Sequence, residues 1–571
     1  MQASTFLPWM TWIALSLSAS THPDGSLFGS IRFGGKAGSP PPPGSTGSSG
    51  GIAAGVGSLP VEVFPGGGPG IPFAEDRWEF WWEFNHESYI DLRQKLLRGD
   101  DAGSFLAPPD ESQKAQLLLP TLLRTLRDSD PIVRSASAFA LARIGDPSVY
   151  PYLSSALLDD PVLSVRTHSV LALGLARIPK SVERLRAIVF EERLQDETRA
   201  YAMVSLGVLN SPESVAVLRE VLGASHEGGV PYTLRLAAAY ALGLTEDRTY
   251  APFVRSLVIA DSDDAKLRAL FVLALGRVGD RAALTQLLRT LQDDHHQVRR
   301  SAAIALGLES RPEDKDVVRA LERAAISDSD GTVRCLSEIS LGRIAARGAP
   351  RIVETLLSHL RDSQSNQRAF VALALGIAKD PASLPHLCDL LREEGSHTMK
   401  GATAVGLALL GDSRALPILQ AEWQKSADPM LRSYLAFALG SLGDQSSIPM
   451  LRSILSEEKN VELLRWSAIA LGLLGDKGAV SQLVALYQRN EELLTRASAV
   501  HGVALLSGGD SIPFLSSVAE SPRESAYVRA YAVYALGMIC DLQAQPMPAV
   551  YARDHNYTLD LPFIPDLYSL F

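Results

Sequence analysis

The sequence predicts an all-α fold, a right-handed superhelix of about thirteen helical hairpins, and two observations support this. The stretch from Arg299 to Leu308, which reads RRSAAIALGL, returns almost unchanged as RWSAIALGL from Arg465 to Leu473. The basic residue at the start of such stretches recurs every 31 to 36 residues. A fixed period in this range is typical of a solenoid, and it covers residues 128–540 of the 571-residue chain.

The recurring basic residue marks each unit of the solenoid. In chain order these residues are Arg134, Arg166, Arg199, Arg235, Arg268, Arg299, Arg334, Arg368, Lys400, Arg432, Arg465, Arg496 and Arg529. Each is followed by a run of Ala, Leu and Val, many of which end in Ala-Leu-Gly. The regular spacing predicts one elongated body in place of several globular domains.

Composition narrows the classes of function. The net charge of −10 argues against a broad nucleic-acid-binding surface. Hydrophobic residues make up 46% of the chain and aromatic residues only 7%, which suits closely packed Ala/Leu helices. Cys335, Cys388 and Cys540 lie far apart without a metal-ligand spacing, so we expect three small buried side chains.

The first 73 residues precede the repeats and differ from them in composition. Residues 9–19 form an apolar run followed by small residues, which predicts a signal peptide over 1–20 and export to the periplasm or cell envelope. No Lys or Arg precedes the run, so a cytoplasmic protein with an apolar start is the alternative. Residues 21–73 are rich in Gly, Pro and Ser and are expected to form a disordered tether.

Two apolar segments flank the repeats. Residues 74–127 begin with a dense aromatic cluster and continue into Leu-rich helices; the cluster comprises Trp78, Phe80, Trp81, Trp82 and Phe84. Because a terminal repeat otherwise exposes its stacking face, we expect these aromatics to cover the first hairpin. A docking site for a partner protein is the alternative. The proline-broken, apolar residues 541–571 are expected to cover the last repeat in the same way, with a partner-docking peptide as the alternative.

Each unit follows one pattern. An Asp precedes the first helix, where its carboxylate can accept hydrogen bonds from the unpaired first-turn N–H groups. That helix closes in Gly-x-x-Gly-Asp, as in Gly276–Asp280 and Gly440–Asp444. The second glycine of this motif suits the left-handed position after a helix, and a second helix follows with Leu at helical spacing.

The first glycine of the motif predicts close helix packing. A glycine inside a helix costs about 1 kcal/mol relative to alanine, and this cost recurs in most units. Closely approaching helices can offset it, because small side chains bring the backbones of neighbouring repeats into dispersion contact. We therefore expect this glycine to face the helix of the next unit.

The Asp, Val-Arg, Ala-Leu-Gly and Gly-Asp elements together resemble the HEAT-repeat family. The likeness extends to its short-repeat branch, related to phycobilisome-lyase subunits, and to exported bacterial HEAT-repeat proteins of unknown function. The resemblance implies that recurrent Asp and Arg side chains form a ladder between repeats. Its expected members include the recurring arginines above, with Asp130 assigned to Arg134, Asp294 to Arg299 and Asp330 to Arg334.

Catalytic motifs are missing from the sequence. It contains no zinc-protease, phosphate-loop or nucleophile-elbow pattern. The family includes a di-iron hydroxylase built from repeated His-Glu pairs, but this chain has only His86-Glu87 and His226-Glu227, at unmatched positions. The pair His295-His296 is interpreted as an exposed helix start, since adjacent helical residues point to different faces. We expect no catalytic residue, metal or cofactor.

The sequence therefore favours a non-catalytic scaffold that binds a protein partner. The second helices mix positive and negative charges, and we expect them to form a concave binding face. Nucleic acid is not expected as a ligand, nor a transmembrane segment in the mature chain. A lyase-like enzyme or enzyme subunit is the first alternative, and a DNA-binding repair protein is the second.

Overall fold

A computed structural model describes residues 77–90, 107–223, 229–260, 264–362, 365–458, 460–540, 554–556 and 561. Within these ranges every regular element is helical. The expected signal peptide, the tether over 21–73 and most of the tail over 541–571 lie outside the described residues. No helix in the described ranges has the length and apolarity needed to cross a bilayer.

Two concentric sets of helices make up the repeats, after a short N-terminal group. That group consists of α1 (Trp78–Asn85), α2 (Glu87–Ile90) and α3 (Glu111–Gln113), which continues through a π-helical turn at Lys114–Leu118. The second helices have even numbers: α4 Leu119–Thr125, α6 Tyr150–Asp159, α8 Ser181–Phe190, α10 Pro212–Gly223, α12 Ala251–Ala260, α14 Leu284–Thr290, α16 Lys315–Ser327, α18 Pro350–Asp362, α20 Ser383–Glu393, α22 Leu416–Lys425, α24 Ile448–Glu457, α26 Gly478–Arg489 and α28 Ile512–Ala519. The first helices, which carry the recurring basic residues, have odd numbers: α5 Pro131–Arg143, α7 Leu163–Leu175, α9 Asp196–Leu209, α11 Tyr232–Leu244, α13 Ala265–Val278, α15 His296–Glu309, α17 Gly331–Ala345, α19 Ser365–Ala378, α21 His397–Leu410, α23 Pro429–Ser441, α25 Val461–Leu473, α27 Leu493–Leu506 and α29 Ala526–Met538.

In the structure a unit is counted as a second (even-numbered) helix together with the first (odd-numbered) helix that follows it. This gives thirteen units, from α4–α5 to α28–α29. The prediction of an all-α solenoid of about thirteen hairpins is confirmed. The predicted end signals also hold at α13, where the side chain of Asp264 accepts a hydrogen bond from the backbone N–H of Leu267. Gly279 follows the same helix with a φ of 82°, the left-handed conformation expected there.

The solenoid closes on itself. The final odd-numbered helix, α29, packs along α5, with which the odd-numbered series begins. The contact is like that between consecutive odd-numbered helices elsewhere in the solenoid. A Cβ on Gly537 of α29 would lie 2.7 Å from Cα of Ala140 in α5, just as one on Gly440 would lie 2.6 Å from Cα of Ala470. Arg529 also pairs with Asp128 across this junction. The thirteen units therefore form a ring with one junction that no peptide chain bridges, which we call the seam.

Close packing of the first helices explains why they line the inside of the ring. Glycine meets alanine or serine of the next unit at most of these contacts, for example Gly276 at Ala305 and Gly174 at Ser205. Thirteen helices spaced about 8–9 Å apart form a circle of roughly 17–19 Å radius. The second helices lie on a wider circle, where neighbours are farther apart and one face of each remains exposed. The predicted packing role of the first glycine is confirmed.

The interior of the ring, which we call the lumen, contains other parts of the chain. Helix α1 lies against α19, α21, α23 and α25, all of them first helices. Residues 554–556 of the tail contact α11, α15 and α17 from the other side. The aromatic segment and this part of the tail thus lie along the ring axis, and the first and last repeats cover one another.

The helices that form the concave face differ from those that the sequence predicts. The concave face was expected to belong to the second helices, but the first helices form it and the chain's own segments cover it. The second helices form the convex outer surface. The physical reason is the Gly/Ala pairing, because the helices that can approach most closely must take the smaller circle.

Candidate functional site

The aromatic cluster divides into two faces of α1. Trp78, Trp81 and Trp82 occur at helical spacing and are at most 2% exposed. Phe80 and Phe84 share another face, half-buried, with their rings 4.9 Å apart. The expected candidate interaction residues therefore separate into three buried side chains that pack against first helices and two half-buried ones.

Aromatic side chains from three first helices hold the indoles. The ring centroid of Trp78 is 4.8 Å from that of Tyr434, and that of Trp81 is 6.4 Å from that of Phe370. Trp82 lies 5.5 Å from Phe437 and is nearly parallel to Trp466 at 6.4 Å. Offset and tilted pairs at these separations are favourable beyond the area that they bury. These contacts make α1 part of the central core.

A partly buried ion pair fixes α1 to the ring. The guanidinium of Arg465 in α25 contacts a Glu83 carboxylate oxygen at 2.9 Å and one of Glu462 at 2.8 Å. Burial alone would lower the pKa of Arg465, but the two carboxylates outweigh it and raise that pKa. Arg465 was expected to belong to the inter-repeat ladder; in the structure it binds the segment inside the lumen.

His86 and Glu87 form a second charged pair in the lumen. Their Nε2 and carboxylate oxygen are 3.3 Å apart, and the His86 side chain is only 6% exposed. Burial lowers the pKa of His86, but the hydrogen bond and charge of Glu87 outweigh it, so the pKa is raised. The same contact lowers the pKa of Glu87 against the opposing effect of burial. The His-Glu pair is thus engaged internally.

The tail completes the centre of the ring. Arg343 at the end of α17 pairs with Asp554 and also donates to the hydroxyl of Tyr89. Asp554 donates its backbone N–H to the side-chain oxygen of Asn85, 3.1 Å away, which joins the tail to α1. Asn556 donates from Nδ2 to the backbone oxygen of Gln297 at 3.0 Å. The N-terminal segment and the tail therefore contact each other as well as the ring.

His555 is the least satisfied polar group at this centre. It is 2% exposed, and neither ring nitrogen has a hydrogen-bond partner among the described residues. Burial, then the charge of Arg277, lowers its pKa to about 3. Its ring meets Tyr240 edge-on at 4.8 Å. It also lines a cavity, shared with Trp81 and Ser340, that has room for about one water molecule.

This centre is suited to holding segments together. Its charged groups are paired with one another, and its cavity is smaller than a substrate. The described residues include no group of three or more His, Cys, Asp or Glu side chains placed to bind a metal. His226-Glu227 lies outside the described residues. His295 and His296 are exposed at the start of α15, as predicted, and the three cysteines are buried.

The Arg ladder exists, but its partners differ from those expected. The guanidinium of Arg134 binds Asp160 of the next unit at 2.7 Å, and that of Arg299 binds Asp328 of the next unit at 2.8 Å. Each arginine also donates to the backbone oxygen of the residue six positions earlier, Asp128 and Asp293 respectively. The ladder thus joins the loop before one first helix to the loop before the next.

The expected aspartates have other roles. The Asp130 carboxylate accepts from the backbone N–H of Ile132 at the start of α5. Asp294 offers Arg299 only its backbone oxygen, and Asp330 pairs with Arg300 instead of Arg334. Asp130 and Asp330 thus accept backbone N–H bonds at the starts of their own helices, and the ladder arginines bind carboxylates of the next loop.

The remaining ladder positions vary in their partners. Four of these basic side chains pair with a carboxylate later in the chain. Two donate mainly to backbone carbonyls in the loop before their own helix. Two more combine a backbone carbonyl with a nearby carboxylate or aromatic ring. The contacts are Arg268–Asp293, Arg368–Glu394, Lys400–Glu422, Arg496–Glu524, Arg166 with the Asp160 carbonyl, Arg334 with the Asp328 carbonyl, Arg199 with Asp196 and the Val189 carbonyl, and Arg432 with the Ser426 carbonyl and the Trp423 ring. Arg235 is buried in α11. Arg529 closes the series at Asp128, which extends the ladder across the seam.

Comparison with known proteins agrees with this architecture. A family model described as HEAT repeats matches residues 111–174, 228–307, 257–342, 318–408 and 416–504, more than half of the chain. The chain belongs to the HEAT-repeat family. Its ring is therefore built from HEAT hairpins, as the resemblance implied.

Individual relatives are more distant. A deoxyhypusine hydroxylase of Drosophila melanogaster is 28% identical over 232 residues, which is 36% of this chain and 74% of that protein. The CpcE–CpcF complex of phycocyanin lyase from Nostoc sp. PCC7120 is 18% identical, covering 45% of this chain and 95% of that one, with a TM-score of 0.29. Kap121p is 15% identical over 77% of this chain and 64% of its own, with a TM-score of 0.36.

Sequence reasoning missed the residues that bring the termini together. Arg343 follows the Ser-Leu-Gly sequence of α17, outside the repeated position, and Asp554 and Asn556 lie in a segment interpreted as a terminal cover. The available signal was the polar sequence Arg-Asp-His-Asn within an apolar tail, at 553–556. Such residues suit a buried polar centre better than an apolar cover.

Proposed function

We propose that this HEAT ring is a non-catalytic scaffold that binds a protein partner through its outer surface. The observation that carries the proposal is the filled lumen. Trp78, Trp81 and Trp82 occupy the face of the first helices, which leaves the second helices and the two rims accessible. A partner that meets the ring in its closed form meets these convex surfaces.

One sector of a rim carries several exposed apolar side chains. Large hydrophobic side chains are exposed where second helices lead into first helices in units 2–4: Leu158, Leu163, Phe190, Leu194 and Tyr232. Their exposed fractions run from 37% to 56%. Large apolar side chains exposed together in adjacent units favour an interaction site. We name these five residues the rim patch, and we assign the partner to it.

Ring closure favours such a role. Each unit is held by two neighbours, so the rim patch is presented on a backbone that does not flex as an open solenoid does. A surface ordered before binding loses less entropy on association. The convex second helices beside the patch retain mixed charge, in line with the charge pattern of the sequence.

We place this activity in the cell envelope. The support is the apolar run over 9–19 and the Gly/Pro/Ser-rich stretch that follows it. Mass spectrometry of the protein purified from its native cells reads its N-terminus. A start near residue 20 agrees with export, whereas an intact Met1 in a cytosolic fraction contradicts it.

The experiment for the scaffold is crosslinking in native cells with a tagged full-length chain, followed by identification of the crosslinked peptides. Crosslinks to one reproducible partner within units 2–4 are expected. The variant L158S/F190S replaces two of the five apolar side chains of the rim patch and is expected to lose that partner. I326S is the matched control, since Ile326 is 68% exposed in unit 7, away from the patch. Equal capture by both variants would show that the patch is not the binding surface.

A further inference from the structure

The ring encircles part of its own chain. Trp78 contacts Gly401 and Tyr434, both in the first halves of their first helices. Tyr89 contacts Arg343, near the end of α17. Residues 77–90, which we call the plug, therefore run along the lumen from one rim towards the other. Residues 107–113 then lie at that second rim, where Gly509 donates its N–H to the backbone oxygen of Ala107.

The plug is held in the way that a bound helix is held. Its contacts with the ring are almost entirely side-chain contacts, namely three indoles, the Glu83 carboxylate and the Tyr89 hydroxyl. The fit also has gaps, because the buried indole N–H groups of Trp78 and Trp82 and one oxygen of Glu83 lack hydrogen-bond partners among the described residues. Such groups weaken the docking of the segment relative to a fully satisfied core.

The connections allow the plug to occupy a different ring. Sixteen residues, 91–106, join it to the first described residue of the ring body, and an extended chain of that length spans roughly 50 Å. The ring itself has the seam, at which α29 and α5 meet without a covalent link. A ring can release or accept an encircled segment when the seam opens.

We infer that the lumen is a binding site for the plug of a second copy of this chain, so that two copies exchange residues 77–90 and form a dimer. An exchanged plug makes the same contacts as the resident one, so the contact energy of the two forms is equal. The monomer and the exchanged dimer therefore differ only in the conformation of the linker and in the translational entropy that is lost on association. A higher protein concentration offsets that loss of entropy. Each ring in the dimer is complete only with its partner's tryptophans.

The ion pair between Glu83 and Arg465 permits a reciprocal charge exchange. The single variants E83R and R465E each place like charges together inside one chain. In a mixed dimer with exchanged plugs, the E83R plug meets the R465E lumen and the wild-type plug meets the wild-type lumen, so both charge pairs are matched. The two variants are unfolded together in urea and refolded together. Their molar mass is then measured by light scattering after size-exclusion chromatography.

The expected result is a molar mass for the mixture twice that of either variant refolded alone. The double variant E83R/R465E restores the pair and is the control for folding, expected to have the same molar mass as the wild type at the same concentration. Monomers in the mixture, together with a folded double variant, would overturn the inference. That outcome would leave the rim patch and its partner unaffected.

A second measurement applies if the single variants do not refold. Two wild-type populations with different tags are refolded together or separately and then mixed. Copurification of one tag with the other after joint refolding, and its absence after separate refolding, supports exchange through seam opening. Absence of copurification in both cases overturns it.

Discussion

The seam makes Gly537 an unusually informative position. A Cβ there would lie 2.7 Å from Cα and 3.1 Å from Cβ of Ala140, against an ordinary carbon–carbon contact of about 3.5–4 Å. The variant G537L must therefore separate α29 from α5 by about 1 Å or more. Overpacking of this kind costs about 1–3 kcal/mol, offset in part by the better helix propensity of leucine, up to about 1 kcal/mol.

The matched control is G440L, whose Cβ would lie 2.6 Å from Cα of Ala470. The local cost is similar, but residues 442–460 connect the two helices there. Separation at Gly440 must strain the ring, whereas separation at Gly537 can open it. We expect both variants to be less stable than the wild type, and only G537L to gain radius of gyration in small-angle scattering.

Hydrogen exchange of α5 and α29 supplies a second measure of opening. Loss of protection confined to these two helices is expected in G537L. Wild-type scattering and wild-type protection in G537L would refute the argument that closure depends on this contact. An equal change in both variants would show that the seam is no weaker than a covalently connected junction.

Three further predictions concern the ladder, the plug and the tail. D328A leaves a ladder arginine without its carboxylate and is expected to lower the free energy of unfolding by about 1–3 kcal/mol. The control D316A removes an exposed ion pair and is expected to change the free energy of unfolding by about 0.5 kcal/mol or less. Both free energies are measured by urea titration. W82A empties a buried indole site and is expected to cost about 3–5 kcal/mol, against roughly 1 kcal/mol for the half-buried F80A; equal effects would mean that the plug adds nothing to stability. The pKa of His555 is lowered, so its contribution is present above the unfolded value of about 6.5 and is lost as pH falls towards about 3. Acid should therefore raise hydrogen exchange at 554–556, and H555F should prevent it; identical exchange in the two proteins would exclude His555 as the cause.

The repeat architecture could be predicted because its determinants are local and recur. Asp264 before a helix and Gly279 after it specify the ends of α13 whatever its neighbours are. The Gly/Ala contact of Gly276 with Ala305 could be inferred from the energetic cost of a helical glycine. Such rules apply once per unit, so thirteen repetitions of the pattern made the fold class secure.

Closure could not be predicted in the same way. It depends on the angle between neighbouring units summed over the whole chain, and a small change in that angle gives an open superhelix. The positions of Trp82 and Asp554 depend on closure, since their sites exist only when α25 and α17 face one lumen. The ladder partners were missed for a related reason, because Asp160 reaches Arg134 only across the junction of two units.

A ring of repeats is subject to a counting rule. An open solenoid can gain or lose one hairpin at its end and still leave every other junction intact. Here the turns of thirteen units add up to one revolution, so a fourteenth would push α29 past α5 and part Arg529 from Asp128. Duplication of a hairpin, the usual route by which repeat proteins change length, is therefore expected to break this molecule unless every other junction flattens at the same time.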